Sequence, residues 1–122
     1  MSLDTWPDGV ILNITGGHQY GVNNRYGVLQ SRDLAAGTGI VALILPTGQL
    51  DPSHVSLHKT ELRLAEIRDN CYVRIVSGSG AGSYGMCMGR FGSDVLVKLD
   101  NDRSEQPVLY RESQCVVIYH SG

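Results

Sequence analysis

The chain has 122 residues, 42% of them hydrophobic, and 10 Lys plus Arg against 12 Asp plus Glu, for a formal net charge of −2. That size and apolar content fit one compact domain or two very small ones, and they exclude a disordered tail. The charge balance excludes the clear basic excess of an autonomous nucleic-acid-binding domain, so contact with RNA or DNA would have to rest on a local patch.

The opening MSLDTWPDG has neither an apolar core nor a positive lead, and no run approaches the roughly 18 apolar residues of a membrane span. The expectation is a soluble, unsecreted, intracellular protein, nuclear or cytoplasmic. From there the dominant period is two. GVILNIT (9–15), RYGVLQ (25–30) and GIVALIL (39–45) read as strands, separated by the turn clusters TGGHQYGVNN and AAGTG. After LPTGQLDP, the segment PSHVSLHKTELRLAEI mixes periods, and it predicts a short helical turn near Ser53 to His58 followed by a strand. CYVRIVS (71–77), DVLVKLD (94–100), PVLYRE (107–112) and CVVIYH (115–120) then read as further strands. The fold class is all-β, mostly antiparallel.

The two halves carry the same order of parts. A strand (9–15 or 70–77) is followed by a glycine-containing loop ending in Tyr-Gly, Tyr26-Gly27 or Tyr84-Gly85. Another strand, a polar turn, an apolar strand and a closing segment, ELRLAEI or CVVIYH, complete each half. Two small five-stranded barrels, residues 1–69 and 70–122, account for this repetition. Only IRDN separates the closing strand of the first from CYVRIVS, which leaves no room for a flexible linker.

The chemistry-bearing residues are few. Cys71, Cys87 and Cys115 are odd in number, far apart and set among alternating apolar residues, the pattern of buried free thiols in a reducing compartment. No Cys-x-x-Cys pair is present. His54 and His58 are spaced to share a helix face but lack further ligands nearby, so neither a metal nor a cofactor is expected. No nucleophile, base and orienting-group order, no close carboxylate pair and no cofactor fingerprint stands out, and the expectation is a non-catalytic protein.

The densest local signal is IVSGSGAGSYGMCMGRFG (75–92). A phosphate-binding loop would need Gly-Lys-Ser/Thr, or Gly-x-Gly-x-x-Gly, opening a helix; here the loop opens onto YGMCMGRFGSDVLVKL, which is strand-like. A linker is excluded by apolar strands on both flanks, and a hairpin remains. Counting from Gly78, Ala81-Gly82 stand three and four positions on, Gly85 at seven and Cys87 at nine, with Val73 and Ile75 alternating before it. This arrangement resembles the KOW motif of SH3-like barrels in ribosomal and transcription-elongation proteins, where Gly, Lys-Gly, Gly and Val take these places. Over nearly its whole length, with Trp6-Pro7-Asp8 and HQYGVNNRYGV (18–28) in the first half, the chain resembles the tandem KOW barrels that end certain nuclear RNA-processing proteins. The resemblance implies two SH3-like barrels, with the glycines freeing the loop and bending the next strand. Gly85 is then limited by its backbone, and Gly85→Val should cost about 1 to 3 kcal/mol if its φ is positive.

The same resemblance places the Tyr-Gly loops at one end of each barrel, which makes Arg25, Tyr26, Arg90 and Phe91 surface candidates. Tyr20 and Tyr84 join them as rings able to stack, and Arg74, Lys98, Arg103 and Arg111 as cations within reach of phosphates. The lysine of the motif is replaced by Ala81. Free-standing affinity for RNA is therefore expected in the nonspecific range of about 10⁻⁴ to 10⁻⁶ M. The leading expectation is an adaptor or scaffold with a protein partner in a ribonucleoprotein or other assembly. Direct RNA recognition by a KOW module and Tudor-like capture of a methylated peptide stand as alternatives.

Overall fold

The computed structural model describes residues 3–16, 21–22, 24–100 and 106–120. They form two five-stranded antiparallel sheets, one in each of two compact units that divide between Ala65 and Glu66. The first unit holds β1 (Ile11–Ile14), β2 (Tyr26–Asp33), β3 (Thr38–Ile44), β4 (Leu50–His58) and β5 (Leu62–Leu64), in the spatial order β4-β3-β2-β1-β5. The second holds β6 (Tyr72–Ile75), β7 (Tyr84–Phe91), β8 (Asp94–Leu99), β9 (Val108–Arg111) and β10 (Cys115–Val117), in the order β10-β6-β7-β8-β9. Each is a four-strand meander whose fifth strand returns to pair with the first.

The segment expected to turn helically at Ser53 to His58 is instead the second half of β4. Val55 and Leu57 pair with Val41 and Gly39, and Leu57 is fully buried, so the two-residue period wins over the helical one. The turn comes one step later, as a single 3-10 turn at Lys59–Glu61. There the Thr60 amide donates to the His58 ring, and the His58 amide donates to the Glu61 carboxylate. Gln114 repeats the device after β9, accepting from the Arg111 amide ahead of the 3-10 turn Glu112–Gln114. His54 and His58 thus sit four residues apart along a strand, about 13 Å, and do not converge.

The repetition extends to single hydrogen bonds. Before β1 the chain turns at Pro7-Asp8-Gly9-Val10, and before β6 at Arg68-Asp69-Asn70-Cys71; in each the fourth amide donates to the first carbonyl. Gly9 (φ 86°) and Asn70 (φ 69°) both occupy the left-handed region, which glycine and asparagine tolerate best. Their amides donate to Leu29 and Cys87, which donate back to Val10 and Cys71, a glycine-type bulge opposite the second strand. Those second strands carry a further irregularity, a register shift at Leu29/Ser31 in β2 and at Cys87/Gly89 in β7. Inward residues of the first unit, Val10, Leu12, Ile14, Leu29, Val41, Leu57 and Leu62, form its core. Val73, Ile75, Cys87, Val95, Val97, Tyr110 and Cys115 form that of the second.

The glycine-rich stretch is a hairpin loop between β6 and β7, closed by Gly82 donating to Ile75 and Ile75 to Ser83. Its left-handed residues are Gly78, Gly80 and Gly82, whereas Gly85 has no positive φ. The constraint at Gly85 is steric. A Cβ there would stand 2.5 Å from the Lys98 carbonyl oxygen and 2.7 Å from Val97 Cγ1, and at the matching Gly27 it would collide with Val41. Because the obstacle at Gly85 is backbone, it cannot rotate away. Gly85→Ala is therefore expected to lower stability by about 2 kcal/mol in denaturant unfolding. A midpoint equal to that of the parent would contradict this close approach.

Candidate functional site

The candidate residues fall into different settings. Tyr20 and Arg103 lie outside the described residues. Arg25 and Tyr26, at the entry to β2, line an open depression of about 500 Å³ with Ile44, Leu45 and Pro46. Tyr84 and Phe91 stand at opposite ends of β7, seven residues or about 23 Å apart. They do not share one loop cluster, although each is exposed.

Arg90 has a structural engagement. Its guanidinium donates to the Ile67 carbonyl at 3.1 Å and the Gly92 carbonyl at 3.0 Å, and it pairs with Glu112 and, at 3.6 Å, with Glu66. Arg32 does the same work in the first unit, donating to the carbonyls of Leu3 and Trp6 and pairing with Asp8. Each arginine stands six residues after the tyrosine of its Tyr-Gly pair and fastens the segment that leads into its unit's first strand. The shared spacing was visible in YGVLQSR and YGMCMGR, and it is the signal that would have marked Arg32 in the sequence. Hydrogen bonds from a charged donor contribute about 1.5 to 3 kcal/mol. Arg90→Met should therefore destabilise the second unit by about 2 kcal/mol in thermal or denaturant unfolding, and an unchanged stability would show the fastening to be idle.

The outward face of the β6–β9 sheet has an unusual composition. A sheet with one face on a core normally carries polar residues on the other. Here β7 directs Gly85 and Cys87 inward and leaves Tyr84, Met86 and Met88 exposed, at 37%, 38% and 52% of their surface. Met88 is the extra residue of the bulge. Beyond it the Phe91 ring lies against the open Cα of Gly89, where a Cβ would come within 3.6 Å of the ring. Leu109 of β9, 56% exposed, pairs in register with Leu96 of β8, which itself pairs with Gly89. An apolar stripe therefore runs the length of β7, widened by Leu96 and Leu109.

One end of the stripe is polar and ordered. Tyr72 and Tyr84 stack at 5.8 Å with an interplanar angle of 11°, His120 packs on Tyr72 at 4.4 Å, and the Arg74 guanidinium lies 5.6 Å over the Tyr84 ring. The Tyr72 hydroxyl donates to Asp100 at 2.5 Å. That bond, helped by desolvation and by the nearby carboxylate charge, pushes the Tyr72 phenol up to about 12. Lys98 sits in register with Met86, on the same face.

Two thiols of the second unit, Cys87 and Cys115, are held toward the protonated form. Burial raises the Cys87 thiol, whose Sγ donates to the Gly89 carbonyl, and raises that of Cys115 to about 11. All three cysteines are free, Cys87 and Cys115 buried and Cys71 half-buried. Among the described residues no group of three His, Cys, Asp or Glu side chains converges as a metal site would require. No family model matches the chain, and no curated protein matches it in sequence.

The Tyr72–Asp100 bond yields a titration test. The folded-state value lies above the ordinary 10, so the neutral phenol is favoured by folding. Its stabilising contribution is complete below pH 10 and is lost as the pH rises toward 12. Asp100→Asn should bring the Tyr72 midpoint down toward 10, followed by tyrosine ring-carbon NMR, whereas an unmoved midpoint would rule out Asp100 as its main cause.

Proposed function

We propose that the chain is a non-catalytic docking module of two SH3-like barrels, serving as an adaptor or scaffold within a larger intracellular assembly and contacting RNA at most weakly. The barrel reading is supported by the connectivity of each unit, a four-strand meander, one 3-10 turn and a fifth strand paired back to the first. The observation that carries the docking function is the exposed stripe of Tyr84, Met86, Met88, Phe91 and Leu109 on one sheet face. Contiguous apolar surface of this kind is uncommon on a free monomer and typical of binding surfaces. Methionine adapts its shape to a partner and aromatic rings supply large contact area, so the residue types suit docking as well as their exposure does.

The competing readings fit the face less well. Tyr72 and Tyr84 lie nearly parallel with Arg74 already over Tyr84, so the pair does not form the separate walls of a cage for a methylated cation. For RNA, Asp94 and Asp100 stand on the same face as Arg74, Lys98 and Arg111, which prevents a continuous track of phosphate contacts. Arg90, engaged by carbonyls and carboxylates of its own unit, is not a free phosphate ligand.

The test is a selection of peptide ligands from a random display library, with the parent chain as bait and a Met86→Glu/Leu109→Glu variant as counter-bait. Both positions are exposed, so the variant should keep its fold by circular dichroism. Peptides that bind the parent and lose at least roughly tenfold in affinity on the variant are expected. Peptides indifferent to these substitutions, or binding that depends on Arg25 and Tyr26 instead, would overturn the assignment of this face.

A further inference from the structure

The charges on the exposed stripe point to the chemistry of what covers it. Five charged side chains share the outward face of the second unit: Arg74 on β6, Asp94 and Lys98 on β8, Asp100 after β8, and Arg111 on β9. Three of the five have local partners. Asp94 stands directly across from Arg111 in the β8–β9 register, and Asp100 accepts the Tyr72 hydroxyl. Arg74 and Lys98 have no carboxylate across from them in register, and none within ion-pairing distance among the described residues. Arg74 rests its guanidinium on the Tyr84 ring, with a buried Nε that has no hydrogen-bond partner among the described residues. Lys98 projects beside Met86 on the exposed side.

These two cations flank the Tyr84 and Met86 side chains, one strand to either side of β7. Two strand spacings and one two-residue step separate their backbones, about 12 Å. We propose that the stripe binds an extended acidic peptide segment of a partner protein, whose apolar side chains cover Tyr84, Met86, Met88 and Leu109 and whose carboxylates meet Arg74 and Lys98. The inference rests on the reading of this face as a docking surface and adds the charge of the occupant. An extended segment fits because the apolar positions follow one strand for about 23 Å, a length that seven residues in extended form span. A peptide can place a carboxylate beside each unpaired cation and keep clear of Asp94 and Asp100. The closely spaced phosphates of a nucleic acid cannot avoid those carboxylates, and the chain's net charge of −2 gives a polyanion no general attraction. Complementary charges at the rim of an apolar surface raise the association rate and select among partners, so the effect should be greatest at low salt.

The experiment uses the full chain and three synthetic twelve-residue peptides that carry Leu and Phe at the same positions, two of them consecutive so that apolar and intervening side chains both reach the face. The intervening positions are Asp and Glu in the first, Ser in the second, and Lys and Arg in the third; single-stranded oligouridine is the fourth ligand. Binding is followed by backbone amide NMR shifts and by titration at two salt concentrations. The acidic peptide is expected to shift β7, β8 and β9 resonances and to bind at least roughly tenfold tighter than the Ser peptide at low salt. Lys98→Glu, on an exposed side chain, should remove that advantage and transfer it to the basic peptide, and Arg74→Gln should reduce it. Equal affinity of acidic and Ser peptides on this face would overturn the charge assignment while leaving the docking reading intact. Tighter binding of oligouridine than of any peptide on the same resonances would replace a protein occupant by RNA. Failure of all three peptides to shift the face would remove both the inference and the docking reading on which it rests.

Discussion

One extra residue in the second strand of each unit decides where the important side chains go. In β7 the inward and outward alternation runs from Tyr84 to Cys87, and Met88 then interrupts the register with β8. After the interruption the parity is reversed. Arg90 pairs with the buried Val95 and reaches the Ile67 carbonyl, and Phe91 falls on the outward side with Tyr84 and Met86. Without the bulge, strict alternation from Tyr84 would send Arg90 outward and Phe91 inward. The same shift at Gln30 in β2 turns Arg32 toward the carbonyls of Leu3 and Trp6. A single local irregularity therefore fastens the leading segment of each unit and, in the second, lengthens an apolar face.

The two units share this frame and differ in what they expose. Met86 and Lys98 form a register pair on the open face of the second unit, and the matching pair in the first is Val28 and Ala42, which are 2% and 1% exposed. Tyr26 and Tyr84 begin the equivalent strands, yet Tyr84 is framed by Tyr72 and Arg74 whereas Tyr26 borders the depression at Ile44, Leu45 and Pro46. Repetition supplied the architecture, and divergence at a few outward positions supplied the surface on which the proposed docking depends.

How much of this could be read in the sequence depended on the range of the interactions involved. The all-β class and the strands around Leu12, Val41, Val73 and Val97 were legible because burial imposes a two-residue period within each strand. The hairpin nature of the glycine stretch was legible because Gly78, Gly80 and Gly82 needed left-handed backbone and no helix followed. β4 was misread over Ser53–His58 because Val55 and Leu57 take their direction from β3, a partner the local pattern does not name. The limit on Gly85 was foreseen but given the wrong cause, since the Lys98 carbonyl that blocks a side chain there comes from another strand. Tyr84 and Phe91 were found as candidates without the bulge that sets them on one face, and Met86, Met88 and Leu109 were passed over because apolar residues in strands ordinarily read as core.

The central claim is that the outward face of the second sheet is where a partner sits. The chain contains three methionines, Met1 and the two on this face, Met86 and Met88. Selective ¹³C labelling of the methionine methyl groups in the full chain therefore gives two probes on the proposed surface and one in the sequence's opening residue. Addition of a protein or peptide ligand is predicted to shift and broaden the Met86 and Met88 signals. A bound ligand that leaves both Met86 and Met88 where they were would contradict the account.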